Sequence, residues 1–111
     1  QDEGSYLAVN PYLWQASLDK LAFMPLASSD AKGGVIVTEW KKFASNEQLK
    51  VVVNIYSQNL QANSLKVEVY KKMLKGNTWT EATPDEKLAL ETENAILTQA
   101  RELYHRDVMT R

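Results

Sequence analysis

Apolar positions recur along this chain with two different periods, and the switch between them sets the expected elements. In residues 10–24, NPYLWQASLDKLAFM, Trp14, Leu18, Leu21 and Ala22 fall at helical spacing, with Gln15, Asp19 and Lys20 off the stripe. Asn10 suits the N-cap and Pro11 the first helical position, where its missing N–H costs nothing. Pro25 is the expected stop, because the residue before a proline is pushed out of the α region. Residues 1–9, which mix Asp2, Glu3 and Gly4 with Tyr6, Leu7 and Val9, read as a loose lead-in to a single domain spanning 10–111.

Three runs then predict strands: GVIVTEW (34–40), LKVVVNIY (49–56) and LKVEVYK (65–71). The third alternates cleanly, with Leu65, Val67 and Val69 on one face and Lys66, Glu68 and Tyr70 on the other. A period of two with one polar face is the mark of a half-buried antiparallel strand. The stretches KKFASNEQ and SQNLQANS are read as turns, and KGNT as a tight turn into a short fourth strand around Trp79.

The last third predicts one long helix. Thr83 is the expected cap and Pro84 the opening residue, with Asp85 and Glu86 in the first turn; Thr83 and Glu86 have capping-box spacing. From Pro84 to about Met109 there is no glycine or further proline. Leu88, Ala89, Ala95, Ile96, Ala100 and Leu103 form a stripe that Leu90, Leu97 and Tyr104 broaden to about half the circumference, wider than the ~100° of a helix lying on one surface. The predicted fold class is therefore α+β: a two-layer sandwich in which an antiparallel meander of three to four strands carries both helices on one face, in the order α-β-β-β-(β)-α. The other sheet face is expected to be open.

Composition narrows the partners more than the shape. A length of 111 residues with 44% hydrophobic and 24% charged residues suits one globular domain with its own core. The net charge of −1 lacks the basic surplus of a domain that binds nucleic acid electrostatically, so none is expected as partner. The absence of cysteine removes disulfides, thiolate metal sites and thiol nucleophiles. No apolar run reaches the ~18 residues that a membrane-spanning helix needs.

Candidate chemistry is sparse. His105, flanked by Arg106 and Asp107 near the end of the last helix, has no second histidine at metal-ligand spacing and reads as a solvated residue at a helix C-terminus. Glu91 and Glu93 are two apart on a helix and face different ways. Asp30 and Glu39 could approach in space, but no spacing forces them to. Ser28-Ser29-Asp30 has no base at motif spacing. Lys32-Gly33-Gly34 leads into a strand, whereas a phosphate loop leads into a helix N-terminus. The Ser/Asp/Gly-rich loop is thus read as a corner whose glycines serve a turn with positive φ. No catalytic residue, metal or cofactor is expected, and the chain is read as not an enzyme.

Alternation suggests one surface instead. Lys50, Val52, Asn54 and Tyr56 share a face of the second predicted strand; Lys66, Glu68, Tyr70 and Lys72 share a face of the third. If both look outward, the open sheet displays Lys50, Lys66 and Lys72 among Tyr56 and Tyr70, with Trp40 beside them. Residues 41–75 hold seven lysines against two glutamates, while 81–93 hold five acids and one lysine. Aromatics on an open sheet can stack bases or anchor a partner protein, the latter favoured of the two, or simply serve as good cross-strand neighbours on a solvated face.

The stretch VNPYLWQASLDKLAFMPLASSDAKGGVIVTEW, with VVVNIYSQNLQANSLKVEVYK and LETENAILTQARELY, resembles a family of uncharacterised alphaproteobacterial envelope proteins, often regarded as lipoproteins. The resemblance runs from Val9 to Tyr104, and its most specific parts are LWQASLDKLAFMPLASSD and the double glycine before VIVTEW. It implies a periplasmic or outer-membrane-associated location, with leader and any lipid anchor upstream of Gln1. It brings no catalytic residues. By analogy of fold with accessory lipoproteins of the outer-membrane barrel assembly machinery, it implies an interaction or scaffolding module, whose partner would be another envelope protein and whose contact with a membrane would be through such an anchor. The alternative is a carrier of a small apolar ligand, held between sheet and helices by residues such as Trp14, Phe23 and Trp79.

Overall fold

The computed structural model describes residues 8–110. Helix α1 (Pro11–Lys20) comes first, followed by strands β1 (Leu26–Asp30), β2 (Val35–Thr38), β3 (Lys41–Ala44) and β4 (Glu47–Ile55). A 3₁₀ turn (Ala62–Ser64) leads into β5 (Leu65–Lys75), β6 (Thr78–Ala82) and the long α2 (Glu86–Met109). The described residues form one antiparallel sheet in the order β1-β2-β4-β5-β6, with β3 also paired to β4. The α+β sandwich with both helices on one face stands; the sheet has more strands than the meander of three to four.

The two extra strands lie where polar sequence suggests turns. Residues 26–30 form an edge strand exposed along its whole length, so no buried face writes an alternation into LASSD. Residues 41–44, within the predicted turn KKFASNEQ, pair with the start of β4. Strands β2 and β3 occupy the same edge of β4: Val37 faces Val52 and Lys41 faces Leu49, so four steps on one side oppose three on the other. That one-residue excess is a bulge. Thr38 mends it from inside the core, its Oγ1 accepting the Val51 N–H at 2.9 Å and donating to the Glu39 carbonyl at 2.9 Å.

The hairpin β1–β2 settles what the Ser/Asp/Gly loop is. Asp30 Oδ1 accepts the N–H groups of Lys32 and Gly33, and the Asp30 carbonyl accepts the Gly34 N–H. Gly34 has φ +72°, and a Cβ there would collide with the Ile55 carbonyl and approach Val9 Cγ1 to 2.8 Å. The loop is a corner built by a side-chain-capped turn. Val9 itself is buried, which corrects its place in a loose lead-in; residues 1–7 of that lead-in lie outside the described residues.

Helix α1 begins as expected, with Asn10 Oδ1 accepting from Tyr12 and Leu13 N–H. It ends at Lys20, five residues short of Pro25, in a turn closed by the N–H of Leu21 on Ser17. Its buried face is Leu13, Ala16 and Ser17 rather than the predicted Trp14 and Leu18, which are only partly covered. Small side chains at 16 and 17 let α2 approach, and Ile96 and Ala100 of α2 are fully buried. The two helices run antiparallel: Tyr12 meets Tyr104 edge-on at 5.4 Å, while Leu21 and Leu88 share a groove at the other end. Asp85, not Thr83, caps α2, accepting the Leu88 N–H at 3.0 Å. Beneath the helices lie Ile36, Leu49, Val51, Val53, Ile55, Leu65, Val67 and Val69, one face of the sheet.

Candidate functional site

The alternation that buries Val51, Val53, Val67 and Val69 sends their neighbours to the uncovered side. Lys50 sits directly across from Tyr70, Val52 from Glu68, and Asn54 from Lys66; one step on, Gln48 faces Lys72. Trp40, carried by the bulge, is turned onto this side. The ammonium of Lys72 lies 4.3 Å from its ring centroid and that of Lys50 5.7 Å. Both distances are within the ~6 Å at which a cation is held by a ring face.

Of the six residues singled out from the sequence, Trp40, Lys50, Tyr70 and Lys72 therefore form one cluster. Lys66 is on the same face but across from Asn54, towards the other end of the ladder. Tyr56, 64% exposed, lies one residue beyond β4, its N–H bonded to the Ser64 carbonyl. Tyr70 donates its hydroxyl hydrogen to Glu68 Oε2 at 3.2 Å. That hydrogen bond, then partial burial and the negative charge of Glu68, raise the Tyr70 pKa above the ordinary tyrosine value. The lysine surplus is not confined to this face: Lys71 points the other way to Glu47 (3.4 Å) and Asp85 (3.7 Å), and Lys41 Nζ donates to the Phe23 carbonyl.

Sequence reasoning set Val52 on this face beside Lys50 but missed its apolar neighbours on β2, Val35 and Val37. Val35, Val37 and Val52 lie on it, half-buried, with Val37 directly across from Val52. Their signal was the unbroken VIV and VVV runs, since a strand apolar at every position presents apolar groups on both faces. Trp79, across from Leu74 in β6, belongs to this side as well and not to a pocket under the helices.

On the covered side, an apolar groove of about 450 Å³ opens between the end of α1, the β3–β4 hairpin and the first half of α2. Leu21, Leu49, Leu88 and Ala95 line it, and Phe23 and Phe43 stand at its mouth, rings 6.1 Å apart and 57% and 45% exposed. Of the three residues expected around a ligand, Phe23 is here; Trp14 packs partly against the core and Trp79 is on the far side of the sheet.

The candidate catalytic groups stay apart. Asp30 closes the β1–β2 turn, whereas Glu39 sits at the other end of that hairpin with its N–H on the Pro25 carbonyl. Glu91 borders the apolar groove, while Glu93 reaches the edge of β5. His105 is exposed on α2. Among the described residues no three His, Asp or Glu side chains gather as a metal site requires, and no helix is long and apolar enough to cross a membrane.

A protein-family model described as a domain of unknown function (DUF3576) matches residues 7–105, and the chain belongs to that family. It is 38% identical over 98 residues to an uncharacterized protein of Rickettsia prowazekii (strain Madrid E), an alphaproteobacterium. The match covers 86% of this chain and 59% of that relative, so the chain spans about three fifths of the relative's length. No solved structure matches it.

Proposed function

We propose that this domain is a non-enzymatic interaction module of the cell envelope, binding another protein through the open face of its sheet. The observation that carries the reading is the Trp40 cluster, an indole held beside Lys72 and Lys50 on a face that also bears Val35, Val37 and Val52 and, among the described residues, no helix. Aromatic and cationic side chains beside apolar ones are what protein interfaces are enriched in. The envelope placement, with a role in outer-membrane assembly or upkeep, rests on the family resemblance carried by residues 9–104.

The test is crosslinked capture of the tagged protein from its own cells, after fractionation, beside the Trp40→Ala and Tyr56→Ala variants. An envelope protein recovered in stoichiometric amount with the parent chain and lost with Trp40→Ala is the expected result. Recovery unchanged by both substitutions would remove the open face from consideration.

A second reading has its own observation, the apolar groove at Phe23 and Phe43. Its volume is within the range of small-molecule sites, and apolar side chains line its floor. A carrier would release lipid or metabolite on solvent extraction of the purified protein, and Leu88→Asp in the groove would abolish that cargo.

A further inference from the structure

Strand β5 is longer than its outer neighbour. Strand β6 pairs only with residues 71–75, and among the described residues no strand lies along the outer edge of residues 65–69. The groups on that edge are visible from their bonds: the Val67 N–H goes to Glu93 Oε2 at 2.8 Å, and the Val69 carbonyl accepts the Asp85 N–H at 3.0 Å. The N–H and C=O of one antiparallel strand residue point to the same side, so the Val67 C=O and Val69 N–H face outward too. A carboxylate thus stands where the carbonyl of a next strand would be. Exposed edges are commonly protected by charged side chains, but here the protection also shapes a site.

Between this edge and α2 runs a groove of about 340 Å³. Ala89 and Leu90 form its helical wall, with Leu90 59% exposed. A strand laid about 4.8 Å from β5 would send alternate side chains to that wall and to the open face. The groove is bordered by Glu68, Asp85, Glu86 and Glu93 against Lys66, and with Lys71 reaching Asp85 at 3.7 Å it remains net acidic. That charge selects a basic occupant, and it disfavours a second copy of this chain, which would bring the same acids to meet their own kind.

We infer that the β5 edge and α2 together form a binding groove for an extended, basic peptide segment of a partner protein. The segment adds as a strand beside residues 65–69, takes the Val67 N–H from Glu93, and leaves that carboxylate to pair with a basic side chain. Strand addition of this kind gives affinity through the main chain and selectivity through alternate side chains. The groove shares Lys66, Glu68 and Tyr70 with the open face but not Trp40, Lys50 or Lys72, so Trp40→Ala tells the two sites apart.

The direct test is NMR titration of the full chain with an end-capped heptapeptide of alternating lysine and valine. Amide shifts should be confined to residues 65–69 and 86–93, and hydrogen exchange at Val69 should slow at least tenfold on binding. A glutamate–valine peptide, and a lysine–valine peptide N-methylated along one edge, should each bind at least tenfold more weakly. Leu90→Asn and Glu86→Gln, both on exposed side chains, should weaken binding several-fold, while Trp40→Ala leaves it unchanged. No binding, shifts centred on Trp40, or indifference to N-methylation would each overturn the inference. A concentration-dependent dimer with Val69 protected in the absence of peptide would overturn it in favour of a second copy.

Discussion

Strands β4 and β5 carry two faces with the same backbone and opposite surroundings. On one, Leu49, Val51, Val53, Ile55, Leu65, Val67 and Val69 are at most 6% exposed beneath the helices. On the other, Lys50, Val52, Asn54, Lys66, Glu68, Tyr70 and Lys72 have no layer above them among the described residues, yet valine and tyrosine occur there among the charges. The covered face is explained by folding, since burying it is what joins helices to sheet. The open face is not, so its aromatic and apolar members are where binding is to be sought.

The largest break in this comparison comes from lifting the cover. Leu13 of α1 is fully buried, and Leu13→Ala should cost about 2–5 kcal/mol, because a cavity remains between the helices and the sheet. Chemical denaturation measures it; a cost below ~1 kcal/mol would mean that α1 does not seal the core. Next comes a pair of adjacent valines. Val53→Ala, on the covered face, should cost about 2–3 kcal/mol and Val52→Ala, on the open face, less than ~1. Equal losses would show that something covers both faces in solution.

Thr38 probes the seam between the faces. Replacing it with valine keeps the volume but removes the oxygen that accepts the Val51 N–H, leaving a buried amide without a partner. The expected loss is about 1–3 kcal/mol. Amide exchange at Val51 should quicken along with it. An unchanged Val51 amide would mean that the bulge is bridged in another way.

Legibility followed burial. Strand β5 alternates because one face is covered, and Leu65, Val67 and Val69 announced it. Strand β1 is exposed throughout, so Ser28, Ser29 and Asp30 look like a loop, although pairing with β2 makes them a strand. Helix α1 was found from its cap, but Trp14 drew the stripe to the wrong side: the close approach of α2 selects small residues at 16 and 17, which no hydrophobicity pattern weights. On the candidate face, period two brought Lys50, Tyr70 and Lys72 together, whereas the docking of Trp40 on them needed the bulge. The β5 edge was hidden for another reason, since strand length relative to a neighbour is a property of pairing and not of composition.

The smallest expected effect lies on the open face itself. Glu68 accepts the Tyr70 hydroxyl, which raises the Tyr70 pKa in the folded chain above its unfolded value near 10. The folded state therefore holds this proton more tightly. The resulting stabilisation is complete below about pH 10 and is lost as pH rises through the higher folded value. Lys50 stands directly across the ladder, with its ammonium at the Trp40 ring. Comparison with Tyr70→Phe separates this effect from lysine titration, which both proteins share. The stability advantage of tyrosine over phenylalanine at pH 9 should shrink between pH 10 and 12. Parallel curves across that interval would mean that the hydroxyl points to solvent, leaving Tyr70 fully available to a partner rather than tied to its own strand.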